Sequence, residues 1–398
     1  MLTIEEPKQY RHALDHLGFR PFFLAGSIYA VVVVALWFWI YHIDATLIRQ
    51  PGLTSLVWHG HEMIYGYTLA VIAGFLLTAV RNWTSVQTLR GPSLLAMATL
   101  WLLARVMPFI GSGWSLPLMA LFDLLFMLWL SADILRAIVK SRQWQQIGVL
   151  TKVMLLLLGN VFYYLGVSGQ LADGVSWGLY TGLYIILSLV LLMGRRVMPF
   201  FIEKGVGYPV ELKNRKWVDM TSLVLMLALW IVDVFLSVPW LTAIIAAALA
   251  LLHSFRLAGW YTPGIWKKPL LWVLYLAYIW IIAGFAMRTL SAVGMINPLI
   301  AVHAFAYGGI AVITLGMMAR VSLGHTGRNV AEPPAILTPI FIVLFIGSLA
   351  RVVMPLLLPH WHAQWIGAAQ ILWIIPFALF SWAYAPMLIK PRIDGRYG

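Results

Sequence analysis

Apolar runs long enough to cross a lipid bilayer restrict the fold of this chain more than any other feature. A transmembrane helix needs about 20 predominantly apolar residues, and such runs recur twelve times along the 398 residues. They lie at residues 20–41, 58–80, 92–110, 115–138, 149–168, 174–194, 217–236, 238–257, 269–290, 296–320, 335–358 and 364–389. Hydrophobic residues make up 62% of the chain and charged residues 10%, which is too apolar for a soluble protein. The sequence therefore predicts an all-α polytopic membrane protein with twelve transmembrane helices in a single domain, residues 1–398.

The positions of the basic residues predict the orientation of the chain. If the N-terminus lies in the cytoplasm, every Lys and Arg except Arg49, Arg105, Arg288 and Arg351 falls in an inner segment. Cytoplasmic loops carry an excess of Lys and Arg, so both termini are predicted to be cytoplasmic. The net charge of +13 then reflects topology and attraction to anionic membrane lipid, and nucleic acid is not expected as a partner.

The second and tenth apolar runs share a short His–Tyr–Gly motif, which we call the repeated frame. The matching triplets are His61, Tyr65 and Gly66, and His303, Tyr307 and Gly308. Further matches at similar offsets, weaker in the middle of the chain, predict three four-helix pseudo-repeats. Their approximate bounds are 1–145, 146–262 and 263–398.

The two histidines of this frame are candidate haem ligands. His61 and His303 are predicted about one turn inside the outer ends of equivalent helices. A six-coordinate haem b takes one neutral imidazole from each side, and Gly66 and Gly308 would let a flat ring approach. One or more haems are expected. The alternative is a pair of hydrogen-bonded interfacial histidines in a transporter.

Arginines near the outer ends of odd-numbered helices suggest partners for such a haem. Arg105 and Arg351 would bind its propionates, because a guanidinium binds a carboxylate through two parallel hydrogen bonds. The same argument is weaker for Arg288. The alternative is that these side chains reach the outer lipid headgroups.

Histidines at the outer side also suggest copper. The chain has no cysteine, so a metal must use other ligands, and neutral imidazoles suit copper or zinc. His59, His360 and His362 are the candidates, because a His-x-His pair in extended chain directs both rings to one side. Solvated loop histidines are the alternative.

Two motifs on the inner side suggest binding rather than plain anchoring. Arg195 and Arg196 lie in the run Gly194–Phe201, and His325 lies between two glycines in Gly324–Arg328. His325 is expected to contact a flat ligand or to bind a metal, with His253 or His16 as a second ligand. The alternative for the arginines is that they anchor the topology.

Several of these motifs resemble those of the NnrS family. The matching stretches are Gly18–Phe23, Trp58–Met63, Ala73–Thr84, Gly194–Phe201 and Gly324–Arg328. The resemblance covers about residues 18 to 390. It implies a haem- and copper-containing twelve-helix protein of the bacterial inner membrane that relieves nitric-oxide stress. Nitric oxide or a related small molecule, and a quinol or an electron-donor protein, are the partners that it implies.

The arrangement is also similar to the catalytic subunit of haem–copper oxidases and nitric-oxide reductases. In that family a haem lies between histidines of the second and tenth helices near the outer face, where His61 and His303 fall. The sixth and seventh apolar runs of this chain contain no histidine, so a conventional binuclear centre is not expected.

Two functions remain open from the sequence. The first is a haem protein that senses, binds or turns over nitric oxide, or passes electrons for that purpose. The second is a twelve-helix secondary transporter of a small molecule or metal. An absorption spectrum of the purified protein distinguishes them.

Overall fold

The computed structural model of the chain describes residues 12–398, so Lys8 and Arg11 of the predicted cytoplasmic tail lie outside the described residues. Within this range, twelve helices are long and apolar enough to cross a membrane. They are α1 (Phe19–His42), α2 (Ser55–Thr84), α3 (Pro92–Phe109), α4 (Ser115–Ser141), α5 (Trp144–Val167), α6 (Gly174–Gly205), α7 (Lys216–Leu236), α8 (Pro239–Ala258), α9 (Pro269–Ala292), α10 (Pro298–His325), α11 (Leu337–Leu357) and α12 (Pro359–Ile389). No β-strand occurs in residues 12–398. The all-α, twelve-helix prediction is confirmed.

The largest difference from the predicted boundaries is in α6. The apolar run ends at residue 194, but the helix continues through Pro199 to Gly205. Arg195 and Arg196 therefore lie within a helix. Apolar length alone does not mark the end of a helix whose last turns are charged.

Two helices change from α-helical to π-helical geometry directly after the histidines of the repeated frame. In α2 a π-helical segment, Glu62–Thr68, follows His61, and in α10 a π-helical segment, Ala304–Ala311, follows His303. The Thr68 hydroxyl donates to the carbonyl of Met63, five residues earlier, at 2.7 Å. Single π-helical turns occur frequently at functional sites, so these two segments direct attention to the residues around them.

The described chain forms two compact units. Unit 1 runs up to Gly182 and includes Val321–Asn329 and Phe377–Gly398, and unit 2 comprises Leu183–Arg320 and Val330–Pro376. The single-domain and pseudo-repeat assignments stay predictions.

The core of unit 1 contains a charged side chain with a structural role. Arg20 is fully buried, and its guanidinium donates to the carbonyls of Met387, Leu388 and Lys390 at 3.1, 2.7 and 2.9 Å. The last carbonyls of a helix have no partner within it. Arg20 therefore caps the end of α12.

The core of unit 2 is mainly apolar around the second histidine of the frame. One cluster packs Trp280 against Ile300, Ala304 and Val352. Ile300 and Ala304 flank His303 on α10, so the backbone that carries this histidine is held by tight packing.

Candidate functional site

A buried ionic cluster in unit 1 surrounds the first histidine of the repeated frame. We call it the α2 cluster and define it as His61, Glu62, Arg105 and Asp123. These side chains are at most 2% exposed. Placing a charged group in a membrane helix costs free energy, so such groups usually face the protein interior and pair with each other. The α2 cluster follows this rule.

Arg105 binds both carboxylates of the cluster. Its Nη1 lies 2.8 Å from Glu62 Oε2, and its Nη2 contacts Asp123 Oδ1. The guanidinium thus connects α2 with α4 from its position on α3. The alternative that Arg105 reaches the outer headgroups is wrong, because the side chain is buried and both ends of its fork bind carboxylates.

Two tyrosine hydroxyls complete the coordination of the carboxylates. Tyr29 of α1 donates to Glu62, and Tyr164 of α5 donates to Asp123 at 2.6 Å. Hydrogen bonds to charged groups are stronger than neutral ones, and a buried carboxylate needs all of its lone pairs satisfied. Five helices therefore contribute to a single polar network.

His61 is bound at both ring nitrogens. Its Nδ1 lies 3.0 Å from Glu62 Oε1, and its Nε2 lies 3.0 Å from Asn160 Oδ1 and 3.4 Å from Asp123 Oδ2. The ring also stacks on Tyr163, with ring centroids 4.2 Å apart. Oxygen acceptors therefore face both nitrogens.

This arrangement matches a ring with a proton on each nitrogen. The amide nitrogen of Asn160 is 3.5 Å from the sulfur of Met127, which leaves its oxygen toward His61. A carboxylate and an amide oxygen only accept hydrogen bonds, so both ring nitrogens must donate.

His303 in unit 2 has a different environment. Its Nδ1 lies 2.7 Å from the carbonyl of Leu299, one turn earlier on α10, and its Nε2 lies 3.1 Å from Arg351 Nη2. A carbonyl accepts and a guanidinium donates, so this ring is neutral with its proton on Nδ1. Its Nε2 carries the lone pair.

The two predicted haem ligands therefore differ in whether a ring nitrogen is arranged to coordinate iron. A histidine ligand commonly donates its other ring N–H to a carbonyl, which fixes the tautomer, and His303 has this arrangement. Arg351 occupies the position that a metal would take and would have to turn away. His61 does not fit as arranged, because neither of its nitrogens has a free lone pair.

The glycines and tyrosines of the frame serve helix contacts within each unit. Tyr65 donates to the carbonyl of Gly178 at 2.7 Å, and Tyr307 donates to the carbonyl of Ala369 at 2.8 Å. A methyl group on Gly308 would lie 2.4 Å from the ring of Trp280. The flat ring that approaches Gly308 in this structure is therefore an indole.

Gly66 has a similar role beside the α2 cluster. A methyl group there would lie 2.8 Å from Glu62 Oε2 and 2.9 Å from Arg105 Nη1. The indole nitrogen of Trp101 donates to the carbonyl of Gly66 at 3.0 Å. The absence of a side chain at Gly66 leaves room for the ion pair.

Two further acids, Asp219 and Asp233, pair with arginines in unit 2. Asp233 binds Arg288, whose Nε lies 2.9 Å away, and accepts from the hydroxyl of Tyr184. Asp219 binds both Arg195 and Arg256. Arg195 thus has a carboxylate partner, and the neighbouring Arg196 is partly buried in α6.

The outer histidines proposed for copper are not arranged as expected. His360 lies in a 3₁₀-helical turn, Pro359–Trp361, and His362 begins the following α-helix. The expectation of extended chain is wrong, and residues two apart on a helix point in roughly opposite directions. His360 and His362 are exposed, and His59 stacks on Trp37 with ring centroids 4.4 Å apart. No group of three His, Asp or Glu side chains within residues 12–398 is arranged to hold a metal ion.

His325 is the last residue of α10 and is mostly enclosed by protein. Its ring lies 5.5 Å from that of Phe19, and its carbonyl accepts from Arg392 at 2.9 Å. Whether it binds a metal stays a prediction.

The acids of these networks are the residues that the sequence interpretation missed. Glu62, Asp123, Asp219 and Asp233 each interrupt an apolar run, and an ionisable residue at membrane depth is by itself a candidate functional residue. That signal was present in the sequence. The patterns of histidine and arginine alone do not point to these four acids.

The model of a protein family described as NnrS protein matches residues 13–392, nearly the whole chain. No curated protein matches.

Proposed function

Because the chain belongs to the NnrS family, which implies a role in the response to nitric oxide, we propose that it is a haem-containing protein that binds or turns over nitric oxide. The proposal places it in the bacterial inner membrane with both termini in the cytoplasm. A quinol or an electron-donor protein would supply electrons. The alternative of a secondary transporter is not favoured by the family match.

The observation that carries the proposal is the hydrogen bonding of His303. Its Nδ1–H is fixed on the carbonyl of Leu299, 2.7 Å away, so the ring cannot change tautomer without losing that bond. This holds the Nε2 lone pair ready for a metal, and the hydrogen bond raises the basicity of the ligand. A haem held there would supply an iron that coordinates nitric oxide.

The other residues of this site would orient the haem and neutralise the charge of its propionates. Arg351, 3.1 Å from His303 Nε2, is close enough to turn onto a propionate, where a guanidinium forms paired charged hydrogen bonds. Trp280 closes the packed side against Gly308 and would restrict the ring to the opposite side of α10. The α2 cluster of unit 1 keeps its charges neutralised by internal pairing.

The absorption spectrum of the purified full-length protein tests the proposal. Wild-type protein should show a Soret band, sharpened α and β bands after reduction, and a shifted Soret band after addition of nitric oxide. His303→Ala should lose most of the haem per protein. His42→Ala changes an exposed histidine at the end of α1 and should keep it. A wild-type protein without a haem spectrum after supply of haem overturns the proposal.

Copper is the second cofactor that we propose. Since the described residues provide no ready three-ligand group, His360 and His362 would bind it only after the turn around Trp361 rearranges. Metal analysis of a His360→Ala, His362→Ala double variant should show a lower ratio of copper to protein and an unchanged haem band. His59→Ala tests the remaining ligand in the same way. An unchanged ratio of copper to protein in all variants would exclude copper binding by the outer histidines.

A further inference from the structure

The α10 helix ends in unit 1 with a glycine turn that positions Arg328. Gly327 is the left-handed residue, with φ 78°. The backbone N–H of Arg328 donates to the carbonyl of Leu323 at 2.9 Å, and that of Gly327 donates to Gly324 at 3.4 Å. This pair of bonds is the Schellman motif, which ends a helix with glycine at the left-handed position. The motif Gly324–Arg328 thus fixes the direction in which Arg328 leaves the helix.

Arg328 and a tyrosine of α12 have buried polar atoms without partners. Nη1 of Arg328 and the hydroxyl of Tyr384 have no hydrogen-bond partner in residues 12–398, and Tyr384 is 0% exposed. The two side chains are near enough to interact electrostatically. A buried polar group left without a hydrogen bond costs about 1–3 kcal/mol, and such groups are rare in folded proteins. Two neighbouring ones indicate a missing partner.

The surroundings of Arg328 are strongly positive. Arg20 interacts electrostatically with Arg328 and Arg392, and His325 with Arg392, Arg81 and Arg20. Among the nearby carboxylates, Asp394 is bound to Arg392. Arg20 also donates to an oxygen of Gly398 at 2.9 Å. Among residues 12–398, the arginines that interact here still outnumber these acceptors, and an anion would be attracted.

From these observations we propose that Arg328 and Tyr384 form a binding site for a phosphate group. A guanidinium and a phenol both donate hydrogen bonds, so the occupant must accept them, and its charge must be negative to suit the arginines. Arginine binds phosphate oxygens through paired hydrogen bonds. The phosphate belongs either to an anionic phospholipid headgroup or to a soluble phosphate compound. This site is separate from His303 and does not depend on haem.

Thermal unfolding of the full-length protein tests the site. Inorganic phosphate is titrated into protein in a neutral detergent, with chloride at matched ionic strength as reference. In a second arm, the protein is placed in nanodiscs of phosphatidylcholine with or without phosphatidylglycerol. Stabilisation by inorganic phosphate identifies a soluble ligand, and stabilisation by phosphatidylglycerol alone identifies a lipid headgroup. No stabilisation in either arm overturns the proposal.

Two substitutions and a control assign the effect to these residues. Arg328→Gln should weaken binding at least about tenfold, as expected for loss of a charged hydrogen bond, and Tyr384→Phe should weaken it by a smaller factor. Arg396→Gln makes the same charge change at an exposed position and should leave binding unchanged. An equal loss in Arg396→Gln would show that general charge, rather than this site, attracts the anion.

Tyr384→Phe also tests whether the hydroxyl binds a ligand or is simply buried without a partner. Removal of an unpartnered buried hydroxyl is neutral or stabilising, so without phosphate the variant should be at least as stable as wild type. With saturating phosphate it should become less stable than wild type. If the variant matches or exceeds wild type under both conditions, the hydroxyl binds nothing and the site is refuted.

Discussion

The carboxylate of Glu62 lies 2.8 Å from the guanidinium of Arg105, and the two side chains are 0% and 2% exposed. Since Arg105 also binds Asp123, three helices of unit 1 are joined by charge at a point where apolar packing would be expected. A buried ion pair adds little net stability compared with an apolar core, but removal of one partner leaves an uncompensated charge. The α2 cluster should therefore be very sensitive to single substitutions.

Arg105→Gln should destabilise the protein by about 3–5 kcal/mol, the usual effect of breaking a buried pair. Two carboxylates lose their counterion in this variant. Thermal unfolding in detergent measures the change, with Arg49→Gln, an exposed arginine, as the control. Neutralising both acids in the same chain, by Glu62→Gln and Asp123→Asn, should recover much of the loss. If Arg105→Gln is as stable as Arg49→Gln, the ion pairs are not formed.

The adjacent tyrosines Tyr163 and Tyr164 provide a matched comparison. Tyr164 donates to Asp123 at 2.6 Å, whereas the hydroxyl of Tyr163 reaches only the carbonyl of Val57 at 3.4 Å. Tyr164→Phe should cost about 1.5–3 kcal/mol, the value for a hydrogen bond to a charged group. Tyr163→Phe should cost about 1 kcal/mol or less, since its ring still stacks on His61. Equal unfolding midpoints for the two variants would contradict the assigned hydrogen bonds.

Gly66→Ala tests the space that the ion pair requires. The added methyl group would lie within 2.9 Å of Glu62, Arg105 and the ring of Tyr29, so the cluster must shift. Overpacking of this kind costs about 1–3 kcal/mol. Gly148→Ala introduces the same methyl group into α5 with no atom within 4 Å, and it should be neutral or slightly stabilising because alanine favours helix. The difference in unfolding midpoint between the two variants is the measurement.

The number and approximate positions of the helices could be predicted from the sequence, because bilayer thickness sets the length of an apolar run. The break between α7 and α8 lies at Ser237, where φ is 50°, between the predicted runs 217–236 and 238–257. The partners of Arg105 could not be predicted in this way. Glu62 and Asp123 are 43 and 18 residues from it in the chain, and which helices lie together depends on tertiary packing. The matching of His61 with His303 suggested equal roles, but their neighbours, Glu62 and Ala304, differ in charge.

The pH dependence of stability should contain a contribution from His16, which precedes α1. This side chain is 7% exposed and stacks on Tyr397 with ring centroids 4.6 Å apart. Burial lowers the pKa of His16 below its ordinary 6.5, so the unfolded chain binds the proton more tightly. The stability from neutral His16 is complete above pH 6.5 and is lost as the pH falls below it toward the lowered folded value.

His16→Phe keeps a ring for Tyr397 and removes the titrating group. Its unfolding midpoint should depend less on pH than that of wild type between about pH 5 and 7, the range in which histidine changes charge. His42→Phe, at an exposed position, should keep the wild-type dependence. If both variants follow the wild-type curve, the ring of His16 does not titrate differently on folding.

The sequence-based prediction and the structure differ most clearly in the role of His61. If it is an axial haem ligand, His61→Gln should lose the haem as His303→Ala does. The structure predicts instead that His61→Gln retains the haem and loses stability, because the variant loses the hydrogen bonds of the ring to Glu62 and Asn160. Selective ¹⁵N labelling of histidine should show His61 with a proton on each ring nitrogen, and His303 with a proton on Nδ1 alone. Loss of the haem in His61→Gln, with a deprotonated nitrogen at His61 in the wild type, would restore the ligand assignment.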